Sequence, residues 1–196
     1  MRERPILMTP ENGQKCDDGT KTQTRRLNGL EEANSGLWDY PQMTKPGVFT
    51  FLDTTQANPY NNALDVKCPY GVVGDRLWVR EPFTVANEGR EDQSVIYKGD
   101  PMFSGMTVFD WKWTPSIHMP RFACRTVLEI TDVRVERLQD ITTEDIKREG
   151  IEWSDEPETA DIYYQRWRHL WESINGKGSW DLNPWVWVIA FRKVGT

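Results

Sequence analysis

The sequence predicts one mixed α+β domain across residues 1–196, because strand patterns and helix patterns both occur along the chain. Residues 125–137 alternate apolar and polar side chains over a length typical of one long strand or two joined strands. Residues 158–175 carry apolar side chains at helical spacing. Residues 185–191 are almost wholly apolar, which is typical of a strand that is buried on both faces.

The N-terminal half is predicted to consist of short strands separated by irregular segments. The apolar run 6–8 predicts a first strand or strand end, and the Gly74-Asp75 turn precedes a strand that ends at Pro82. Residues of about 28–67 are rich in Pro, Gly and Asn, and we interpret them as an irregular insertion with one short strand at 48–51. A second irregular insertion is predicted over about 84–114, with a strand at 94–97.

The C-terminal half has clearer signals. In the long strand the apolar phase shifts near Thr131-Asp132, which indicates a bulge or tight turn, and long bent strands suit a small barrel. Thr142 and Asp145 have capping-box spacing, so we predict a short helix that ends at Gly150. The long helix is predicted to bury one stripe of side chains, formed by Tyr163, Trp167, Leu170, Trp171 and Ile174.

Composition limits the classes of protein that are plausible. The net charge of −6 weighs against indiscriminate binding to nucleic acid, although it is compatible with a local basic pocket. The three cysteines lack Cys-x-x-Cys spacing, so the sequence favours reduced thiols over a disulfide framework or a zinc site. No apolar run is long enough to span a bilayer and the first residues lack an apolar signal core, so we expect a cytoplasmic protein with no membrane partner.

The segment 19–26 places one amine, three hydroxyls and two guanidiniums close together. Lys21 and Thr24 are three residues apart and would share one face of a turn or a helix start, where a neutral lysine can activate a hydroxyl nucleophile. The neighbouring Arg25 and Arg26 disfavour a further positive charge at Lys21. The alternative is a solvated basic turn that binds phosphate or nothing.

Further candidate ligand-binding residues lie elsewhere in the chain. Trp78 and Glu81 stand near the end of a predicted strand and would face a pocket, although such polar residues commonly face water. His118 and Arg121 lie in a segment restrained by two prolines and flanked by tryptophans. Glu149 is the last residue before the glycine that ends the short helix, where a carboxylate opposes the helix dipole; it is either a tolerated surface acid or an acid directed at a site. No Cys, His or acidic partner stands at ligand spacing from His118, so neither a metal nor another cofactor is predicted.

Over most of its length the chain resembles the ASCH domain family, of the larger PUA-like group. The matching features are Gly19-x-Lys21-x-x-Thr24-x-Arg26, the Gly74-Asp75 turn with its strand, the helix ending Glu149-Gly150-Ile151, and the strand 185–191. The long loops and the segments 115–121 and 171–175 are similar to the phage and prophage branch.

The resemblance implies a five- or six-stranded β-barrel with packed helices and a cleft near the Lys-Thr segment. One bacterial branch of the family hydrolyses N4-acetylcytidine with a lysine, a threonine and a glutamate. Lys21 and Thr24 match the first two, and Glu149 matches the third by its place near the end of the helix after the long strand. The resemblance therefore implies an amidohydrolase that acts on N4-acylated cytosine or cytidine, although this chain is nearly twice as long as those enzymes.

The alternative function is a non-catalytic module of phage origin that binds RNA, single-stranded nucleic acid or a nucleotide with a modified base. In that interpretation Lys21, Arg25, Arg26 and Arg121 hold phosphate, while Trp78 or Trp113 stacks on a base. A phage accessory protein that binds a host protein is a third interpretation. The acyl group, the exact nucleoside ligand and the oligomeric state are left open by the sequence.

Overall fold

A computed structural model of the chain describes residues 1–58, 62–86, 89, 93–103, 112–153 and 159–195. These residues contain the strands and helices β1 (Glu3–Leu7), α1 (Pro10–Asp18), β2 (Gln23–Arg26), α2 (Glu31–Ser35), β3 (Trp38–Lys45), β4 (Val48–Asp53), β5 (Ala63–Lys67), β6 (Arg76–Arg80), β7 (Phe83–Ala86), β8 (Ser94–Tyr97), β9 (Val127–Arg137), α3 (Thr143–Arg148), α4 (Ala160–Asn175) and β10 (Trp185–Lys193). Short 3₁₀ turns occur at Pro101–Phe103, Ser116–His118, Arg121–Ala123 and Leu138–Asp140. The predicted α+β class is confirmed.

The main sheet has five strands in the order β1-β6-β9-β10-β2. Strands β1 and β6 are parallel and the other pairs are antiparallel. Within the described ranges the strand pairings leave the sheet open between β1 and β2, so they do not close the predicted barrel into a ring. A hydrogen bond of 2.7 Å from Arg26 Nη2 to the Leu7 carbonyl joins the ends of these two edge strands.

Strand β10 is central because nearly every residue in it is apolar and both of its faces are covered. Trp185, Trp187 and Ile189 pack into the cluster on one face, and Val186 and Val188 pack against α3 and α4 on the other. The predicted burial on both faces is confirmed. The predicted bulge is also confirmed, since Ala190 pairs with Asp132 and Phe191 with Ile130, which leaves Thr131 as the extra residue.

The two C-terminal helices form as the sequence predicts. Thr142 and Asp145 make a reciprocal capping box, and Gly150 follows α3 with a φ of 83°. The α4 stripe buries Tyr163, Trp167 and Trp171, whereas Ile174, which we expected in the core, is 48% exposed. Ile174 lies in the last turn of α4.

The prediction that residues 28–67 form an irregular insertion is wrong. Strands β3, β4 and β5 form a three-stranded antiparallel sheet there, and α2 precedes it. Strand β3 is largely exposed, so it lacks the alternation by which a half-buried strand is recognised. The strand predicted at 48–51, now β4, and strand β5 do alternate, but β5 was not predicted.

The predicted insertion over 84–114 contains the β7–β8 hairpin, and the strand expected at 94–97 is confirmed. Residues 87–88, 90–92 and 104–111 of this insertion lie outside the described residues. The sequence also did not predict α1, which Thr9 caps and in which only Gly13 and Cys16 are buried. Its apolar stripe is too narrow to give a helical period.

Candidate functional site

A buried polar contact at the edge of the main sheet joins Lys21 and Glu149. Lys21 Nζ donates to Glu149 Oε2 at 2.6 Å and to the Glu149 carbonyl oxygen at 2.7 Å. Both side chains are only 2% exposed. Glu149 ends α3 because Gly150 adopts a left-handed φ of 83°, and a Cβ on Gly150 would lie 3.2 Å from the Lys21 Cβ. The glycine therefore allows two segments that are 128 residues apart in sequence to approach closely.

The Lys-Thr segment leads into strand β2 rather than forming the turn or helix start that we expected, with Lys21 just before the strand and Thr24 within it. Hydrogen bonding to β10 extends it, with Thr24 opposite Ile189 and Arg25 opposite Val188. Successive strand residues point to opposite faces, so Thr24 does not share a face with its neighbours Gln23 and Arg25. Because β2 is the edge of the sheet, side chains from both of its faces reach the same cleft.

Arg25 holds the second oxygen of the Glu149 carboxylate. Its Nη1 donates to Glu149 Oε1 at 3.2 Å, and its Nη2 lies 3.1 Å from Glu136 Oε2 and 3.4 Å from Asp145 Oδ2. Arg134 continues the network to Glu136 and Asp145. Burial opposes ionisation of Asp145, but hydrogen bonds from Thr142 and the charge of Arg25 hold the pKa of that carboxyl below its usual value. Both oxygens of Glu149 are thus fixed by cations.

Thr24 lines the same pocket as Lys21 and Glu149 and is 4% exposed. In the part of the chain that the structure describes, no hydrogen bond joins its hydroxyl to either of those two side chains. The arrangement is therefore a lysine–carboxylate pair with a hydroxyl in the same pocket, not a preformed chain of three hydrogen-bonded groups.

The pocket has a volume of about 80 Å³ and lies between β2, the end of α3 and the last turns of α4. Its walls are Asn12, Lys21, Thr24, Arg25, Arg26, Leu27, Asn28, Glu149, Trp167, Leu170, Trp171, Ile174 and Asn175. Three cations and one carboxylate are among these residues. Four buried N–H donors in the wall have no hydrogen-bond partner in the described ranges: Nε of Arg25, Nε of Arg26, and Nε1 of Trp167 and Trp171.

The structure thus brings Lys21, Thr24, Arg25, Arg26 and Glu149 to one pocket. Of the pocket residues outside the Lys-Thr segment, only Glu149 had been predicted, and its match to the glutamate of the family rested on the resemblance. Trp167 and Trp171 were assigned to the core from their helical spacing; they are buried there, and they also line the pocket.

Three other predicted binding residues do not line this pocket. Trp78 packs beneath Arg80 and Arg121, whose guanidinium carbons lie 5.2 and 6.0 Å from its ring centre. Arg121 forms two hydrogen bonds with Glu3, of 2.9 and 3.1 Å, which lower the pKa of Glu3. His118 is exposed in the 3₁₀ turn beside Arg121.

Glu81 also lies apart from the pocket, beneath α1. It is 1% exposed and accepts two hydrogen bonds from Arg125, at 2.9 and 2.8 Å. A Cβ on Gly13 of α1 would lie 2.7 Å from Glu81 Oε2, so the helix packs directly on this carboxylate. Glu81 is a buried partner of Arg125 that anchors α1 to the sheet.

All three cysteines are free and buried, consistent with the reduced thiols that we expected. The described residues hold no group of three His, Cys, Asp or Glu side chains arranged for a metal. Within the same ranges, no helix has both the length and the apolar character that crossing a bilayer requires.

Comparison with known proteins yields a weak structural likeness. No family model matches the chain, and no curated protein matches it. Protein EF3133 from Enterococcus faecalis V583, of family model DUF984, resembles it with a TM-score of 0.43 and 9% sequence identity. The likeness covers 100% of this chain and 77% of EF3133. It is too distant to bear on activity.

Proposed function

We propose that the protein is an amidohydrolase that acts on N4-acylated cytosine or cytidine. The observation that carries this proposal is the 2.6 Å contact between Lys21 Nζ and Glu149 Oε2 inside a pocket that Thr24 also lines. A buried base, a buried acid and a hydroxyl in one cavity are the groups that acyl transfer through a covalent intermediate requires. The choice of substrate follows from the resemblance of the Lys-Thr segment to the ASCH family.

The ion pair supplies the base. Proton transfer from Lys21 to Glu149 across their hydrogen bond gives a neutral amine and a neutral acid without changing the charge of the pocket. Lys21 then takes the proton of the Thr24 hydroxyl as its oxygen attacks the amide carbonyl carbon. Neutral Glu149 gives its proton to the exocyclic nitrogen as the carbon–nitrogen bond breaks, and the acyl group remains on Thr24 as an ester.

Water completes the cycle. Glu149, again a carboxylate, takes a proton from the water that attacks the ester carbonyl. The bond to Thr24 breaks, and the threonine oxygen recovers its proton from Lys21. Transfer of a proton from Glu149 back to Lys21 restores the ion pair. The net reaction converts one amide and one water into the free amine of cytosine and a carboxylic acid.

The volume of the pocket limits how the substrate enters. Sites that enclose a small-molecule ligand usually measure about 300–1,000 Å³, whereas this pocket measures about 80 Å³. We infer that the acyl-amide end alone enters the pocket, while the pyrimidine and any ribose rest outside it. In this arrangement the pocket constrains the acyl group of the substrate more than it constrains the nucleoside.

Release of cytidine from N4-acetylcytidine, followed by chromatography, tests the proposal. Thr24→Val and Lys21→Met are each expected to lower turnover by about 10²–10⁴, the usual contribution of one proton-transfer role. Thr22→Val is the matched control, because Thr22 is a neighbouring hydroxyl residue that does not line the pocket. Wild-type turnover in Thr24→Val, or no turnover in the wild-type protein, would rule the hydrolase out.

The alternative, a phosphate-binding module, has less support from the geometry. The four residues proposed to hold phosphate do not lie together, because Lys21, Arg25 and Arg26 line the pocket and Arg121 does not. The Arg25 side chain is fully buried and ion-paired with carboxylates, so it is not presented to a nucleic acid backbone. Salt-sensitive quenching of tryptophan fluorescence by oligonucleotides, without turnover, would favour this alternative.

A further inference from the structure

Arg25 lies inside the protein, although its place in the basic segment predicted contact with a ligand. Its side chain is 0% exposed, and its guanidinium lies 3.2 Å from Glu149 Oε1, 3.1 Å from Glu136 Oε2 and 3.4 Å from Asp145 Oδ2. The rigid fork of arginine donors suits a position where several carboxylates must be held in one arrangement. Arg25 also falls at an open position of the Gly-x-Lys-x-x-Thr-x-Arg pattern, so the family resemblance gives it no role.

We propose that Arg25 is a positioning residue, which holds Oε1 of Glu149 as an acceptor so that Oε2 carries the proton exchanged with Lys21 and the substrate. The two oxygens of Glu149 have different partners. Lys21 Nζ donates to Oε2 at 2.6 Å, and Arg25 Nη1 donates to Oε1 at 3.2 Å. The consequence for catalysis rests on the proposed hydrolase, whereas the orientation of the carboxylate does not.

The chemistry of the two partners decides which oxygen of Glu149 takes the proton. Arginine stays protonated in proteins and has no acceptor atom, so a proton on Oε1 would face a cation that cannot accept it. A proton on Oε2 faces Lys21 Nζ, which becomes an acceptor once it is neutral. The Nζ–H bond of Lys21 therefore breaks as the Oε2–H bond forms. The Oε2–H bond breaks in turn as the exocyclic nitrogen of the leaving amine gains its proton.

Contacts on the far side of Arg25 fix the position of its guanidinium. Glu136 belongs to β9 and Asp145 to α3, so the arginine joins a strand of the sheet to the helix that ends at Glu149. Arg134 holds the same two acids, with its Nη2 at 3.1 Å from Asp145 Oδ1. Helix α3 has only six residues, and an isolated helix of that length is unstable in water. The end of α3, and with it Glu149, therefore depends on such tertiary contacts.

Hydrolysis of N4-acetylcytidine by Arg25 variants tests the inference, with rates expressed per folded molecule. We expect Arg25→Met to lower kcat about 10²-fold, because a misplacement of about 1 Å near the reacting groups can cost that much. KM should stay close to the wild-type value, since the fully buried side chain offers no surface to the substrate. Arg25→Lys keeps the charge without the fork, so it should recover part of the lost kcat. A wild-type kcat in Arg25→Met would overturn the inference.

Arg134→Met is the matched control. Arg134 contacts Glu136 and Asp145 as Arg25 does, but within the described ranges it makes no ion pair with Glu149. Its replacement removes an arginine from the same network and should leave kcat near the wild-type value. Equal losses of kcat in Arg134→Met and Arg25→Met would show that the network acts only through stability, and would overturn the positioning role.

The ¹H–¹⁵N resonance of the Lys21 ammonium group reports the orientation of Glu149 without any turnover. The resonance is assigned by its loss in Lys21→Met. It should shift in Arg25→Met, where Glu149 is free to turn, and stay in place in Arg134→Met. An unshifted resonance in Arg25→Met would overturn the inference and leave the hydrolase. If the wild-type protein has no amidase activity the hydrolase is removed, and the resonance still decides whether Arg25 orients Glu149. Should Arg25→Met fail to fold, Arg25→Lys gives the answer, because a wild-type resonance and a wild-type kcat in that variant would overturn the inference.

Discussion

Replacement of Glu149 by glutamine tests the central ion pair by its effect on stability. The substitution keeps the side-chain shape and removes the charge that faces Lys21 at 2.6 Å and Arg25 at 3.2 Å. Loss of one partner from a buried pair typically costs 3–5 kcal/mol, because a charge remains without its counter-ion. Arg25 retains Glu136, and Lys21 retains the Glu149 carbonyl oxygen. We therefore expect Glu149→Gln to lower the free energy of unfolding by about 3 kcal/mol, the lower end of that range.

Urea unfolding at pH 7, followed by tryptophan fluorescence, measures this cost as a change in the free energy of unfolding. For a chain of this size the corresponding drop in Tm is about 6–12 °C. Glu144→Gln is the control, since Glu144 lies on the same helix, is 63% exposed and pairs with Arg148 at 3.7 Å. That change should cost less than about 0.5 kcal/mol. Equal, small effects of the two substitutions would refute the buried pair on which the candidate site depends.

Two further predictions concern titratable groups. Thr142 and Arg25 lower the pKa of Asp145 against the effect of its burial, so its contribution to stability is present above about pH 4 and is lost as the pH falls through its folded-state pKa. Asp145→Asn should flatten the acid limb of a plot of unfolding free energy against pH, and an unchanged limb would contradict the assignment. Burial raises the pKa of Cys16 to about 12 and also raises those of Cys68 and Cys124. A thiol-specific disulfide reagent at pH 8 should therefore label no cysteine in the folded protein and all three in urea, and rapid labelling of the folded protein would show that these sites open readily.

The sequence correctly predicted those helices and strands whose pattern of apolar or capping residues lies within the element itself. The α4 stripe, the capping box at Thr142 and the change of apolar phase near Thr131 can each be recognised within a few neighbouring positions. Of the β3–β5 sheet only β4 was predicted, because β3 exposes most of its residues and β5 is a strand of only five residues. Helix α1 was not predicted for a similar reason, because a helix that buries only Gly13 and Cys16 has little amphipathic character.

The sequence by itself determined which chemical groups are available: an amine, a hydroxyl and two guanidiniums in one short segment, and an acid before a glycine at the end of a helix. Tertiary structure alone decided which of them meet. Pairing with β10 placed Thr24 and Arg25 in an edge strand, and the left-handed Gly150 brought Glu149 onto Lys21. The same packing placed Trp78 and Arg121 away from the pocket. Long-range proximity depends on the register of strands and the approach of helices, which no short window of residues encodes.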